Sequence, residues 1–158
     1  RQVKVHGMRA WNDKLKSVRF HEKLGSQYDR VERIVKIAIL LARKFDLEED
    51  RVRKAATLIK ADLVSSLVAE FPSLQGMMGA HYAEIEGCEK FVSDAIRDHY
   101  LPVGSNDVVP KQPLSIVLAL SDKIDYLTSL WRIGIKPTGN KDPFALRRTA
   151  LGLSLIHI

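Results

Sequence analysis

At 158 residues, 46% of them apolar, the chain can bury one sizeable core and is expected to form a single domain. A lone cysteine, Cys88, excludes an internal disulfide framework and a multi-cysteine zinc site. No apolar run approaches about 18 residues, so no membrane-spanning helix is expected, and no signal-peptide pattern is present. The formal charge is +6 and is unevenly placed: Arg1 to Arg19 holds six Lys/Arg against Asp13, and Arg132 to Arg148 holds five against Asp142. Two basic patches are therefore expected, either for an anionic partner or as solvated faces. The chain starts at Arg1 rather than Met and reads as a piece of something longer.

Residues 1–25 read as a connector. Trp11, Leu15 and Val18 have helical spacing, and Gly25 closes the segment. Ser26 is placed to cap a helix whose stripe is Val31, Ile34, Val35, Ala38, Leu41, Ala42 and Phe45, predicting a helix to about Phe45. Glu48, Glu49 and Asp50 favour a helix start, and an apolar face from Val52 through Ile59, Leu63 and Val68 predicts one continuous helix to about Phe71, ended by Pro72. Leu74, Met77, Met78 and Tyr82 predict a further helix despite Gly76 and Gly79, whose usual reason is close approach of another backbone. The methionine pair reads as core filling.

Phe91, Val92, Ala95, Ile96 and Tyr100 form the next face. Residues 101–112, rich in Pro, Gly, Ser, Asn and Asp, form a loop. Pro113 opens a long helix to about Ile133 along Ile116, Val117, Leu120, Ile124, Leu127 and Leu130. Gly134 to Lys141 is a loop around Pro137 and Thr138-Gly139-Asn140. Asp142 then caps a final helix with Pro143 at its first position. Residues 26–153 make up the domain, and 154–158 are set aside as a tail of non-native origin. No segment alternates as a strand should. The fold class is all-α, with six or seven helices.

Lys136, Lys141, Arg147 and Arg148 surround the last loop and helix start, a pattern suited to phosphate. The alternative for either arginine is pairing with Asp142 or with a carboxylate of a neighbouring domain. Phosphate-loop, dinucleotide, zincin and nucleophile-elbow patterns are absent. Cys88 has only Lys90 nearby and reads as structural. His81-Tyr82 and His99-Tyr100 read as helix-edge pairs with one satisfied ring nitrogen.

Two segments, AATLIKADL (55–63) and LALSDKIDYL (118–127), resemble the metal-bearing helices of the HD phosphohydrolases. The resemblance implies an HD-domain-like helical bundle. It places Asp122 at the last metal ligand, but the His-Asp pair is missing. Lys60, Ala61 and Asp62 stand in its region, and the helix around Arg30 lacks the first histidine. The site is thus a degenerate one. An ammonium repels a cation, so Lys60 is expected to pair with Asp122 instead; Asp122, Lys123 and Asp125 otherwise read as a polar helix face.

FHEKLG (20–25), EFPSLQG (70–76), HYLP (99–102) and PTGNKDPFALRR (137–148), in that order, resemble the glycyl-tRNA synthetase β subunit over about Leu15 to Leu153. The resemblance implies an intact α/β enzyme that attaches glycine to tRNA(Gly). ATP and Mg²⁺ act at the α subunit, and no cofactor is expected in this segment. It implies tRNA(Gly) and the α subunit as partners, a bacterial cytoplasmic or organellar setting, and a positioning role for Lys136, Lys141, Arg147 and Arg148. Three function classes follow: a tRNA-positioning domain, a metal phosphohydrolase, and a structural spacer.

Overall fold

The computed structural model describes residues 2–157, with side chains from residue 7 onward. Arg1 of the first basic stretch, the side chain of Lys4, and Ile158 lie outside the described residues. In chain order the elements are α1 (Gln2–Lys14), β1 (Arg19–His21), β2 (Gly25–Ser26), α2 (Gln27–Ala42), α3 (Glu49–Leu58), α4 (Ser66–Glu70), α5 (Met77–Ile85), α6 (Lys90–Asp98), α7 (Pro113–Arg132) and α8 (Leu146–His157). The chain is mostly helical, as predicted. The exception is the antiparallel β1–β2 hairpin, where no strand was expected; at three and two residues the strands are too short to alternate visibly.

Helix α7 lies at the centre, packed against α2, α6 and α8, while α2 also packs on α3 and α5 on α6. One apolar core runs through Val31, Ile34, Ala38, Val52, Ile96, Val117 and Leu118. Met8, Trp11 and Leu15 belong to the same core, and Trp11 meets the Tyr82 ring edge-on with centroids 4.8 Å apart.

Ser26 caps α2 as its residue type suggested. Its hydroxyl accepts the Asp29 N–H at 3.1 Å, and the Asp29 carboxylate accepts the Ser26 N–H at 2.7 Å. The helix stops at Ala42, short of Phe45. Asp46 takes a left-handed φ of 50°, and the Leu47 N–H turns back to the Ala42 carbonyl, closing the helix end.

The predicted continuous helix to Phe71 is broken. After α3 a 3₁₀ turn, Ala61–Val64, intervenes, and Ser65 starts α4 by accepting the Val68 N–H at 3.1 Å. Leu58, Ile59, Lys60, Ala61 and Asp62 are all buried through this stretch, and the Ser65 cap and the Asp62 carboxylate, not the apolar spacing, fix where the next helices begin.

Asp62 uses that break to anchor α5. Its carboxylate accepts the N–H of Gly76 at 2.7 Å and of Gly79 at 3.0 Å. Gly76 needs its glycine for φ = 80°. At Gly79 a Cβ would sit 2.9 Å from Ile96 Cγ2 and 3.2 Å from Asp62 Oδ2. The close neighbours of Gly79 are therefore side chains, not the backbone that was expected.

Asp142 does cap the last helix, but from further back. It accepts the N–H of Leu146 at 2.8 Å and of Arg147 at 2.9 Å. Ala145 has a φ of 52°, so Pro143 lies in a turn and α8 starts at Leu146. The Tyr126 hydroxyl donates to the Phe144 carbonyl at 2.9 Å and ties this turn to α7. Ser154 and His157, set aside as tail residues, continue α8.

Candidate functional site

Four elements converge on a buried ionic cluster. Helix α2 supplies Arg30, the break after α3 supplies Lys60, the end of α6 supplies His99, and α7 supplies Asp122, Lys123 and Asp125. The pairing expected of Lys60 is present, with its Nζ 3.1 Å from Asp122 Oδ1. Arg30 Nη2 donates to the same oxygen at 2.8 Å, and its Nε lies 3.5 Å from Asp125 Oδ2. Arg33 donates to both Asp125 oxygens, at 2.7 and 3.3 Å. The Arg30 guanidinium lies against the neighbouring rings of Phe20 and Tyr126, 4.7 and 5.1 Å from their centroids.

His99 is fully buried, not a helix-edge residue, and both ring nitrogens are engaged. Nδ1 faces the Ile96 carbonyl, which can only accept, so Nδ1 carries the proton. Nε2 then accepts from Lys60 Nζ at 3.0 Å. His81, by contrast, is exposed. The Lys60 ammonium also stands 4.0 Å from the Tyr100 ring centroid. Lys123 points its ammonium at the carbonyls of His99, Tyr100 and Leu101, the last at 2.9 Å. Asp122, Lys123 and Asp125 are thus buried rather than a solvated polar face.

The electrostatics follow from this crowding. Burial pushes Lys60 down to about 8, with Asp122 opposing and the Arg30 charge assisting. Burial alone would raise Asp122, but the charges of Arg30 and Lys60 outweigh it and hold the carboxyl well below its usual range. Burial, then the Lys60 charge, lowers His99 far enough to keep it neutral. Asp62 is raised by burial against the pull of the Gly76 and Gly79 amides.

These residues do not fit a divalent metal. Two cations point at Asp122, where a metal would have to stand, and the only imidazole in the cluster already holds a proton on one nitrogen and an ammonium at the other. Asp62, the next carboxylate along the chain from Lys60, faces the α5 amides. Among the described residues, no three His, Cys, Asp or Glu side chains gather in a metal-binding arrangement.

The four predicted phosphate contacts lie elsewhere, at the surface. Thr138 and Lys141 exchange backbone hydrogen bonds of 2.9 and 2.7 Å across the Gly139-Asn140 turn, so Lys141 sits at the turn's shoulder. Lys136 places its ammonium 4.8 Å from the centroid of Trp131, itself an exposed residue at the end of α7. Arg147 and Arg148 project from the first turn of α8. All four cations are exposed, and none makes an ion pair with a described residue. Neither arginine pairs with Asp142 through its side chain; that carboxylate is spent on the backbone.

A family model described as glycyl-tRNA synthetase beta subunit matches residues 2–158. The chain belongs to that family. It is 52% identical over 147 residues to the glycine–tRNA ligase beta subunit of Dinoroseobacter shibae, covering 93% of this chain and 20% of the relative. It is 54% identical over 145 residues to that of Phenylobacterium zucineum, covering 89% and 22%. It is 42% identical over 151 residues to that of Lactiplantibacillus plantarum, covering 94% and 22%. The chain spans about a fifth of the length of these glycine–tRNA ligase relatives.

Within this glycyl-tRNA synthetase segment, sequence reading missed Arg30, Arg33, His99, Lys123 and Asp125 as partners of one cluster. A signal was available for Arg30, one turn before Ile34 on the buried stripe of α2. For Lys123 and Asp125 there was none, because a charged residue on a half-polar helix is usually solvated.

Proposed function

We propose that this chain is a tRNA-positioning domain of a two-subunit glycine–tRNA ligase, built as an HD-like helical bundle whose metal site is occupied by its own cations. The observation that carries the reading is the set of four exposed cations, Lys136, Lys141, Arg147 and Arg148, gathered about one loop and helix start without partner carboxylates. Exposed charges clustered in this way repel one another and gain little for the fold, whereas polyanion phosphates would give them partners. The loop is held by the Thr138–Lys141 turn and the Asp142 cap, so the charges are presented by a fixed backbone.

In this reading the chain performs no bond-making step. The α subunit, with ATP and Mg²⁺, forms the activated glycine, and the β subunit holds tRNA(Gly) for acylation. Hydrolysis at the Asp122 cluster is disfavoured by its donor set. No helix among the described residues is long and apolar enough to cross a membrane.

The test is a salt titration of tRNA affinity with the intact ligase, parent against the Lys136→Ala/Lys141→Ala double variant. Loss of two phosphate contacts should weaken binding and flatten the log–log salt slope by roughly one to two units. Equal affinity and slope in both proteins would favour a spacer between other tRNA-binding parts.

A further inference from the structure

A cleft of 260 Å³ opens above the ionic cluster, between α7, α8 and the loop that follows α6. Four cations line it, Arg30, Lys60, Lys123 and Arg148, against a single carboxylate, Asp122. The neighbouring carboxylates are committed elsewhere: Asp125 to Arg33 and Asp62 to the amides of α5. Two of the cations are also saturated. Lys60 has an oxygen, a nitrogen and a ring around it, and Lys123 has three carbonyls. These two supply field rather than hydrogen bonds. Arg30 uses Nη2 on Asp122 and turns Nε toward Asp125, leaving Nη1 without a hydrogen bond to any described residue. Arg148, exposed at the lip, makes no ion pair and also borders the next groove, with Arg147, Val103 and Leu151.

We propose that this cleft is a binding site for a single phosphate group, with Arg30 and Arg148 as direct donors and Lys60 and Lys123 as fixed positive charges on its floor. Two guanidinium groups with open N–H positions suit a tetrahedral oxyanion, which they can grip through several charge-assisted bonds. The excess of cations on a poorly solvated floor disfavours a second cation and favours an anion. The volume lies below the roughly 300–1,000 Å³ of sites that enclose drug-sized ligands, so a phosphate fits while a whole nucleotide would have to extend into the adjoining groove. The assignment does not depend on RNA contact by the loop lysines, because neither Lys136 nor Lys141 lines the cleft.

The occupant can be free phosphate or the phosphate at the end of a polynucleotide strand, and both are tested with the full-length β subunit. Inorganic phosphate is titrated calorimetrically at constant ionic strength set with chloride. Saturable binding is expected, weakened about tenfold by Arg148→Gln, the factor for losing one charged hydrogen bond. It should be unchanged in the Lys136→Ala/Lys141→Ala variant, whatever that variant does to tRNA affinity. Melting curves check that Arg148→Gln, a surface change, leaves the fold intact. Absence of saturable heat in the parent, or parental affinity in Arg148→Gln, would overturn the assignment. A short RNA duplex is then used as competitor. Displacement of phosphate by its 5′-phosphorylated form and not its 5′-hydroxyl form identifies a strand end as the occupant; displacement by neither identifies free phosphate.

Discussion

Lys60 and Asp122 form a buried ion pair, Nζ to Oδ1 at 3.1 Å, where α7 meets the break after α3. The ammonium and the Arg30 guanidinium together do what a divalent cation would do for the carboxylate: they neutralise it away from water. Asp122→Asn removes the charge that holds both cations. Breaking one side of a buried pair typically costs about 3–5 kcal/mol, and a loss of that size is expected in urea unfolding. Lys60→Met should cost less than half as much, because Arg30 still holds Asp122 and the stem remains packed.

The same pair sets a pH dependence with opposite signs at its two ends. Lys60 titrates at about 8 in the fold against an ordinary 10.5. Its burial cost is therefore fully present below pH 8 and is relieved as pH rises from 8 toward 10.5, where the unfolded chain binds the extra proton. Relative to Lys60→Met, the parent should gain stability over that window, by ~3 kcal/mol at most. Asp122 is lowered, so its contribution is present above about 3.9 and is lost as pH falls below that value. Asp122→Asn should accordingly show a shallower acid limb than the parent. Parallel stability–pH curves for all three proteins would show that neither group is shifted.

How much of this was legible in the sequence differs by element. Helices α2 and α7 were readable because a cap or an N-terminal proline stood before a clean apolar stripe. The break between α3 and α4 was not, since Ile59, Leu63 and Leu67 keep helical spacing through it. Lys60 and Asp62 are buried at the break, where they meet Asp122 and the amides of Gly76 and Gly79, and such partners from distant parts of the chain are not encoded in spacing. The start of α8 was misplaced for a local reason: Ala145 takes a left-handed φ that its residue type does not advertise. At the site, the Lys60–Asp122 pair followed from charge logic, whereas Arg30, Arg33 and His99 join the cluster through contacts between residues up to 92 positions apart in the chain.

Gly79 offers a test of packing. Its missing Cβ leaves room for Ile96 Cγ2 and the Asp62 carboxylate, at 2.9 and 3.2 Å from where the atom would stand. Gly79→Ala should cost roughly 1–3 kcal/mol, the range for overpacking, and Gly79→Leu should cost more. Gly104, in a loop with nothing within 4 Å of where a Cβ would stand, is an unpacked reference, and Gly104→Ala should stay within about 0.5 kcal/mol of the parent. Equal melting temperatures for the Gly79 and Gly104 variants would mean that α5 and α6 can move apart freely.

Asp142 separates the geometry of the basic loop from its charge. Its carboxylate takes the N–H groups of Leu146 and Arg147, at 2.8 and 2.9 Å, and these bonds fix where α8 begins and where Arg147 and Arg148 point. Being bonded to both amides also lowers its pKa, the Arg147 amide being the larger cause. Asp142→Ala leaves all four cations in place and removes one negative charge, so a purely electrostatic attraction would make tRNA binding by the intact ligase tighter. If the loop must be held in shape to meet phosphates, the same substitution weakens binding, because the first turn of α8 frays. A cap of this kind contributes about 1 kcal/mol, and a loss of similar size in stability is expected alongside weaker affinity. Asp142→Asn keeps an acceptor for one of the two amides and should recover part of both. Tighter binding in Asp142→Ala, measured at fixed salt with the fold confirmed by melting, would show that net charge governs the contact and that the turn contributes nothing to it.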